Sequence, residues 1–584
     1  MCLPARRRQS NFHSMTVSIR VPPPPPLSCG AVPFRGSMVE MEIGAVRRAA
    51  SYATGTHVVL PVFEAFQSAR VEFAQEVAKL ALPNTGSAAN TGTPGGTYEV
   101  DGPAKVLAAL EASYHLLDDM RPLVTDQSAS VRENAMLAMG RLSGLSSKLS
   151  MQISEDDLLS AAIRTINMPP SPSLLKAALF LLHSVVRSAP SVAQLAVESN
   201  ALPILCERLE DTDAGIKAAA VWCLAAIADH EASLAIAVVD CGSLALFMQC
   251  IKEPSLPLRR VTLACLGCIA KHNHSLADSL QKEGAIGVAL GFLTHRDMLI
   301  RRQACRVLAC AVQHHDGSVG WVPAESRAHL VETLRHADGE TGAFAATLVQ
   351  QLAKRSTSAA TEMVEMGVVP LLVAHIASGS ASPAPAAAAL GHICDASSEA
   401  AATAINAGAV AAIKPVLAGM ARPPICAVMC AALGAIGSAG EAQAAAIAAS
   451  GAVQLMAEST LLSGRELGPA AHSLARSGIS KALSRCTDYA VLIWLLEALS
   501  VSGFKMETQV LTALLQVIAR LLSMKGHLRL DFMQRGALTL VQEAKASSSS
   551  ELRDALKQLN ATFPAQMVAA TDPKYESSLV SMIS

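Results

Sequence analysis

Apolar and polar positions along this chain recur in helical blocks, not in strand-like alternation. The stretches 216–230 and 258–272 place apolar residues at helical spacing over three to four turns. A polar breaker precedes each block: Asp211-Thr212-Asp213, Glu253-Pro254, or Thr294-His295-Arg296-Asp297. Ahead of each breaker lies a shorter apolar block opened by a small-residue turn. Its glycines are Gly242, Gly284, Gly367, Gly408, Gly451 and Gly536, at steps of 42, 83, 41, 43 and 85 residues, so each long step spans two periods. Asn200 and Ser326 hold the same register. His230, His272 and His314, again 42 apart, close three successive blocks.

The unit so predicted is a short helix, a glycine turn, a middle helix, a polar turn and a longer closing helix. Such a unit cannot bury its apolar face alone, so neighbours must stack. A period of 40–47 in this order predicts an all-α, armadillo-type α-solenoid, a right-handed superhelix of ~42-residue three-helix repeats. Nine to ten units fit between Lys105 and Ala546. With layers ~9 Å apart the rod would be roughly 80–90 Å long.

Around the array the pattern changes. Val59 begins an amphipathic stretch with Phe63, Phe66, Phe73, Val77 and Leu80 on one side, expected to cap the first repeat. The segment from Pro83 to Gly102 is rich in Gly, Thr, Asn and Pro. The expected organisation is therefore a disordered extension at 1–58, a capping helix at 59–82, a disordered insertion at 83–104, the repeat array at 105–546, and a linker, short helix and tail at 547–584. The first 39 residues lack acids and carry Arg6, Arg7, Arg8, Arg20 and Arg35, as a transit peptide does. Pro22 to Pro26 interrupts any amphipathic helix there. A disordered extension, or translation starting at Met38 or Met41, is the expectation.

Composition narrows the function classes. Of 584 residues 51% are apolar, only 3% aromatic and 16% charged, so alanine and leucine carry the burial. A net charge of -1 argues against a globally basic nucleic-acid binder. The 14 cysteines are scattered through apolar runs, the pattern of a reduced intracellular protein. The chargeless run from Pro423 to Gly440 opens with two prolines and is mostly Ala and Gly, which suits a buried helix better than a membrane span.

Metal or catalytic chemistry finds little support. Cys265, Cys268, His272 and His274 suggest zinc by type, but Cys265 aligns with Cys223 and His272 with His230 and His314, so they read as recurring helix positions. No Walker loop, nucleophile elbow or H-E-x-x-H occurs. His314-His315-Asp316 reads as a solvated helix end. No enzyme activity, metal, cofactor, small-molecule substrate, nucleic acid or membrane is expected. Nuclear import adaptors pair Trp with Asn four residues on; here Trp222 is followed by Ala226, so Trp222 reads as core or rim packing.

The segment 237–277, AVVDCGSLALFMQCIKEPSLPLRRVTLACLGCIAKHNHSLA, resembles a repeat of the sperm-associated antigen six family, armadillo proteins of the ciliary central pair. The opening VFEAFQSAR at 62–70, the closing RGALTLVQEAKA at 535–546, and 563–568 followed by Tyr575 are similar to that family's ends. The extension and the insertion depart from it, and the repeats after Gly339 are richer in alanine. The resemblance implies a non-enzymatic scaffold of the motile axoneme, binding tubulin and central-apparatus proteins in the cytoskeleton of a cilium or flagellum. A soluble cytoplasmic adaptor holding peptides in its groove is the alternative.

Two surfaces are candidates for such binding. Arg132, Lys176, Lys217, Arg259 and Arg301 recur near the starts of closing helices, and Arg260 and Arg302 double them. They predict a ladder of positive charge suited to acidic, flexible tubulin tails. Between Met366 and Gly440 only Asp395, Glu399, Lys414 and Arg422 are charged, which suggests an exposed apolar face or simple drift toward alanine.

Overall fold

A computed structural model describes residues 56–80, 116–144, 150–153, 158–168, 171–314, 316–378, 382–419, 422–462, 468–501, 508–543 and 549–571. Helices and turns make up these residues, with no strand among them. They belong to two compact units, Met1–Leu145 and Ser146–Ser584. The expected extension at 1–58 (except 56–58) and the insertion at 83–104 lie outside the described residues.

In the first unit the helix Thr56–Leu80 packs along Ala129–Ser143, with Leu116–Val124 beside them. Ala74, Val77 and Ala78 are buried on the first of these helices, as are Val131, Ala135 and Met139 on the second and Met120 on the third. Phe66 and Phe73 are only half-buried. The Arg70 guanidinium lies 5.1 Å over the Phe66 ring and pairs with Asp126. Arg141 Nη1 donates to the Ala78 carbonyl at 3.0 Å, filling one of the acceptors a helix end leaves open.

The second unit is a stack of three-helix repeats. Its closing helices are α1 (Pro172–Val186), α2 (Ala214–Ala228), α3 (Leu256–Ala270), α4 (Met298–Val312), α5 (Gly339–Arg355), α6 (Ala384–Ala396), α7 (Pro423–Ser438), α8 (Pro469–Leu483), α9 (Thr508–Met524) and α10 (Ser550–Asn560). Each packs against the next. Prolines in the first turn of α1, α3, α7 and α8 need no hydrogen-bond acceptor there and preset the helical φ. Asp213, Asp297 and Asp338 cap α2, α4 and α5, accepting from Gly215, Leu299 and Thr341 amides at 2.7–2.9 Å. The final layer lies beyond the expected end of the array: Leu552, Ala555, Leu556 and Leu559 of α10 are buried against α9.

The glycine register is a backbone requirement. Gly242, Gly284, Gly367, Gly408, Gly451 and Gly536 all have φ between 69° and 82°, and Asn200 has φ 60°. Each follows the first short helix, and its amide donates three residues back at 2.9–3.0 Å. The chain bends there by 76° at Gly242, 81° at Gly367 and 72° at Gly408. L-residues other than Asn and Asp seldom adopt this region. Gly408→Val is expected to cost about 1–2 kcal/mol, seen as a lower urea midpoint; an unchanged midpoint would contradict the assignment. Ser326, placed in the same register by sequence, departs from it. It is buried inside the helix Ala324–Arg335, which a 3₁₀ turn at Asp316–Trp321 precedes. Pro323 opens that helix, so the chain needs no left-handed residue there.

The low-charge stretch is packed, not presented. Among its described residues, alanines such as Ala386, Ala387, Ala389, Ala432 and Ala435 are buried, and no large apolar side chain between Met366 and Gly440 is exposed. No single helix among the described residues is long and apolar enough to cross a membrane; three helix pairs pass on length and composition together but are bent at the glycine turns.

Candidate protein-binding surface

The cationic residues divide into two rows one residue apart, about 100° apart around a helix. Lys217, Arg259 and Arg301 are each the fourth residue of α2, α3 and α4. Lys176, Arg260 and Arg302 are each the fifth residue of α1, α3 and α4. Arg132 is the fourth residue of Ala129–Ser143, in the other unit.

The fifth-residue row is engaged between layers. Lys176 pairs with Asp213 at 2.6 Å, Arg260 pairs with Asp297, and Arg302 reaches Asp338 at 2.7 Å and Glu340. Each cation thus meets the acidic cap of the next closing helix. Hydrogen bonding to Lys176 holds the Asp213 carboxyl below the usual carboxylate range, and Arg260 does the same for Asp297. Burial alone would raise Asp338, but bonds from Thr341 and Arg302 outweigh it and lower it. In the other row Lys217 also pairs forward, with Glu253 at 2.5 Å. Its ammonium is held charged chiefly by that bond.

Arg259 differs. Its Nε donates to the Ile251 carbonyl at 3.0 Å, at the end of its own repeat's middle helix. Arg132 and Arg301 are half-buried, with no carboxylate pair among the described residues. The expected single ladder is therefore two rows, of which one is neutralised layer by layer.

Sequence reading passed over a third row on the same faces. Positions 180, 222, 264 and 306 are 42 apart, and hold Phe180, Trp222, Ala264 and Arg306. Phe180 is 36% exposed and Trp222 46%. The His183 ring lies 5.6 Å from the indole, and its Nδ1 is 3.1 Å from the Trp222 carbonyl. Trp222 is therefore a rim residue and not core. Arg306 lies 3.7 Å from Asp229 and 3.3 Å from Cys268 Sγ. Extending the 42-residue step from Trp222 in both directions would have found this row.

The histidines that close the blocks tie layers together. His230, His272 and His314 place Nε2 2.6–2.7 Å from the carbonyls of Val186, Ala228 and Lys271, the free acceptors at the end of the preceding closing helix. Arg355 reaches Gln313 in the same manner. Cys265 and Cys268 are buried within α3. No group of three or more metal-ligating side chains converges among the described residues.

Burial lowers the imidazole pKa of His183, His272, His375 and His392. Below the ordinary value near 6.5 the unfolded chain binds protons that the folded one refuses, so stability falls with pH in that window. The urea midpoint is expected to drop between pH 7.5 and 5.5, above the range where the carboxylates titrate. A flat profile would count against these partly buried, neutral rings.

Residues 190–229 match the family model for the Armadillo/beta-catenin-like repeat. That stretch holds Pro190–Glu198, Ala201–Arg208 and α2, one full three-helix unit. Among solved structures, an engineered protein from the Northeast Structural Genomics Consortium is 18% identical, covers 76% of this chain and 98% of its own, and superposes with a TM-score of 0.55. A designed armadillo repeat protein solved with the peptide (KR)4 is 20% identical over 40% of this chain and 99% of its own, with a TM-score of 0.37. A comparison with curated proteins finds no match. The fold is an armadillo-type α-solenoid.

Proposed function

We propose that this protein is a non-enzymatic, protein-binding armadillo scaffold of the motile axoneme, whose partners are tubulin and central-apparatus proteins. The observation that carries protein binding is the row on α1 and α2: Phe180 and Trp222, the two exposed aromatic side chains among the described residues, stand on successive layers. Aromatic side chains offer large contact area at low entropic cost, and such residues dominate interface energetics. The axonemal placement rests on the resemblance of 62–70, 237–277 and 535–546 to the antigen six family.

For acidic tubulin tails, the relevant cations are Arg259 and Arg301, one repeat apart and without a carboxylate partner among the described residues. Attraction through them weakens with salt, because the Debye length is about 8 Å at physiological ionic strength. Two measurements test the reading. A tagged protein in detergent-extracted flagella should stay with the axonemal pellet; release into the soluble fraction would instead favour a cytoplasmic adaptor. In microtubule co-sedimentation at low salt, the double variant Arg259→Glu, Arg301→Glu should bind several-fold more weakly with its melting temperature kept. Binding equal to wild type removes this row as the docking face.

A further inference from the structure

We propose that Cys206 and Cys241 form a hydroperoxide-sensitive dithiol that closes into a disulfide between two adjacent repeats. Their sulfurs lie 3.1 Å apart. Cys206 belongs to Ala201–Arg208, the middle helix of one repeat, while Cys241 ends Ala232–Asp240, the opening helix of the next. A bond between them would therefore staple one layer to the following one across a seam otherwise held by packing, hydrogen bonds and ion pairs such as Lys217–Glu253.

The two thiols are unequal. Cys206 is buried, at 8% exposure, and Cys241 is half-buried and meets solvent. Cys241 stands next to Gly242, immediately before the helix Ser243–Lys252, whose free amides favour a negative sulfur. The hydrogen bond from Cys206 lowers the Cys241 thiol from its ordinary value, helped by the Ser243 amide and opposed by burial. The same bond, with burial, keeps Cys206 protonated. One thiol is thus set to attack and the other to resolve. Other buried cysteines give a contrast: Cys223, Cys265, Cys305 and Cys430 are wholly enclosed, and burial pushes their thiols up. Low-pKa, reachable thiols beside a resolving cysteine are the ones that oxidise reversibly.

The chemistry balances with a hydroperoxide as oxidant. The Cys241 thiolate attacks one oxygen of hydrogen peroxide, the O–O bond breaks, and the leaving hydroxide takes a proton to give water. Cys241 is then a sulfenic acid. The Cys206 sulfur attacks Cys241 Sγ, an S–S bond forms, the S–O bond breaks, and hydroxide leaves with the Cys206 proton as a second water. Two thiols and one hydrogen peroxide give one disulfide and two waters.

The full-length protein, reduced and then treated with stoichiometric hydrogen peroxide, tests this by peptide mass spectrometry without reductant. A Cys206–Cys241 cross-linked peptide, lighter by two hydrogens and lost on adding dithiothreitol, is expected before any other cysteine reacts. Cys206→Ser should leave Cys241 as a sulfenic acid trapped by dimedone, and Cys241→Ser should leave Cys206 unmodified. Wild-type protein that forms no such peptide, or in which Cys241 pairs first with another cysteine, overturns the proposal. The wild-type measurement decides the matter even where a variant fails to fold.

Discussion

Gly434→Ala is expected to destabilise the protein by about 3 kcal/mol, at the upper end of what overpacking a close-fitted site costs. Gly434 of α7 and Gly478 of α8 face each other where the two helices touch backbone to backbone. A Cβ on Gly434 would land inside the Gly478 peptide, and one on Gly478 would stand 2.5 Å from the carbonyl carbon of Cys430. Neither neighbour is a side chain that can swing aside. The helices would have to move apart, opening a seam in which Gly437 now lies against Ala482. Urea unfolding followed by circular dichroism should show a first transition at clearly lower denaturant. Gly287→Ala is the control: its added methyl meets nothing within 4 Å, so it should be neutral or gain up to about 1 kcal/mol. A Gly434→Ala midpoint equal to that of the control would rule out the close approach. The pair Gly434→Ala, Gly478→Ala should cost less than twice one change, since one helix separation relieves both.

This seam also explains the alanine-rich half. Gly391 stands where a Cβ would lie 3.4 Å from Ala432 Cα, and one on Gly437 would lie 3.2 Å from Ala482 Cα. Closing helices α6, α7 and α8 approach so closely that only small side chains fit between them. From the sequence, the same composition is equally consistent with an exposed apolar face or with drift. Composition reports how apolar a helix is but not which neighbour it touches, and the distance between helices is what distinguishes the readings.

Features with a fixed chemical requirement were legible. A left-handed turn demands glycine or asparagine, so Gly242, Gly284 and Asn200 mark every corner they occupy. The turn ahead of Ala324–Arg335 is built another way, from a 3₁₀ segment and Pro323, and the register put Ser326 at a corner that does not exist. Period alone locates a position to within about one residue. That error is small along the chain but turns a helix position by about 100°. For this reason Arg259 and Arg260 read as one doubled ladder, although the first bonds back to its own repeat and the second forward to Asp297. Trp222 was noticed for its type and judged alone, apart from Phe180 and Ala264, which hold the same position in neighbouring layers.

The same one-residue difference gives the second large effect. Arg302→Glu is expected to cost about 2 kcal/mol, between an exposed pair and a buried one, whereas Arg301→Glu should cost less than about 1 kcal/mol. Arg302 keeps only 15% of its side chain exposed and joins Asp338, Glu340 and the Thr341 hydroxyl across the α4–α5 seam. A glutamate there would face two carboxylates, one of them the cap that accepts the Thr341 amide at 2.7 Å. Layer-to-layer attraction would become repulsion at the point where the next closing helix begins. Arg301 has no carboxylate partner among the described residues, so its reversal removes no such contact. Salt separates electrostatics from packing: at 1 M the Debye length is about 3 Å, and much of the Arg302→Glu deficit should be recovered. A deficit of equal size in both variants, or one insensitive to salt, would mean that Arg302 acts through its stem and not its charge. If microtubule binding in turn follows Arg301 and not Arg302, stability and docking would divide between the two rows as their partners divide.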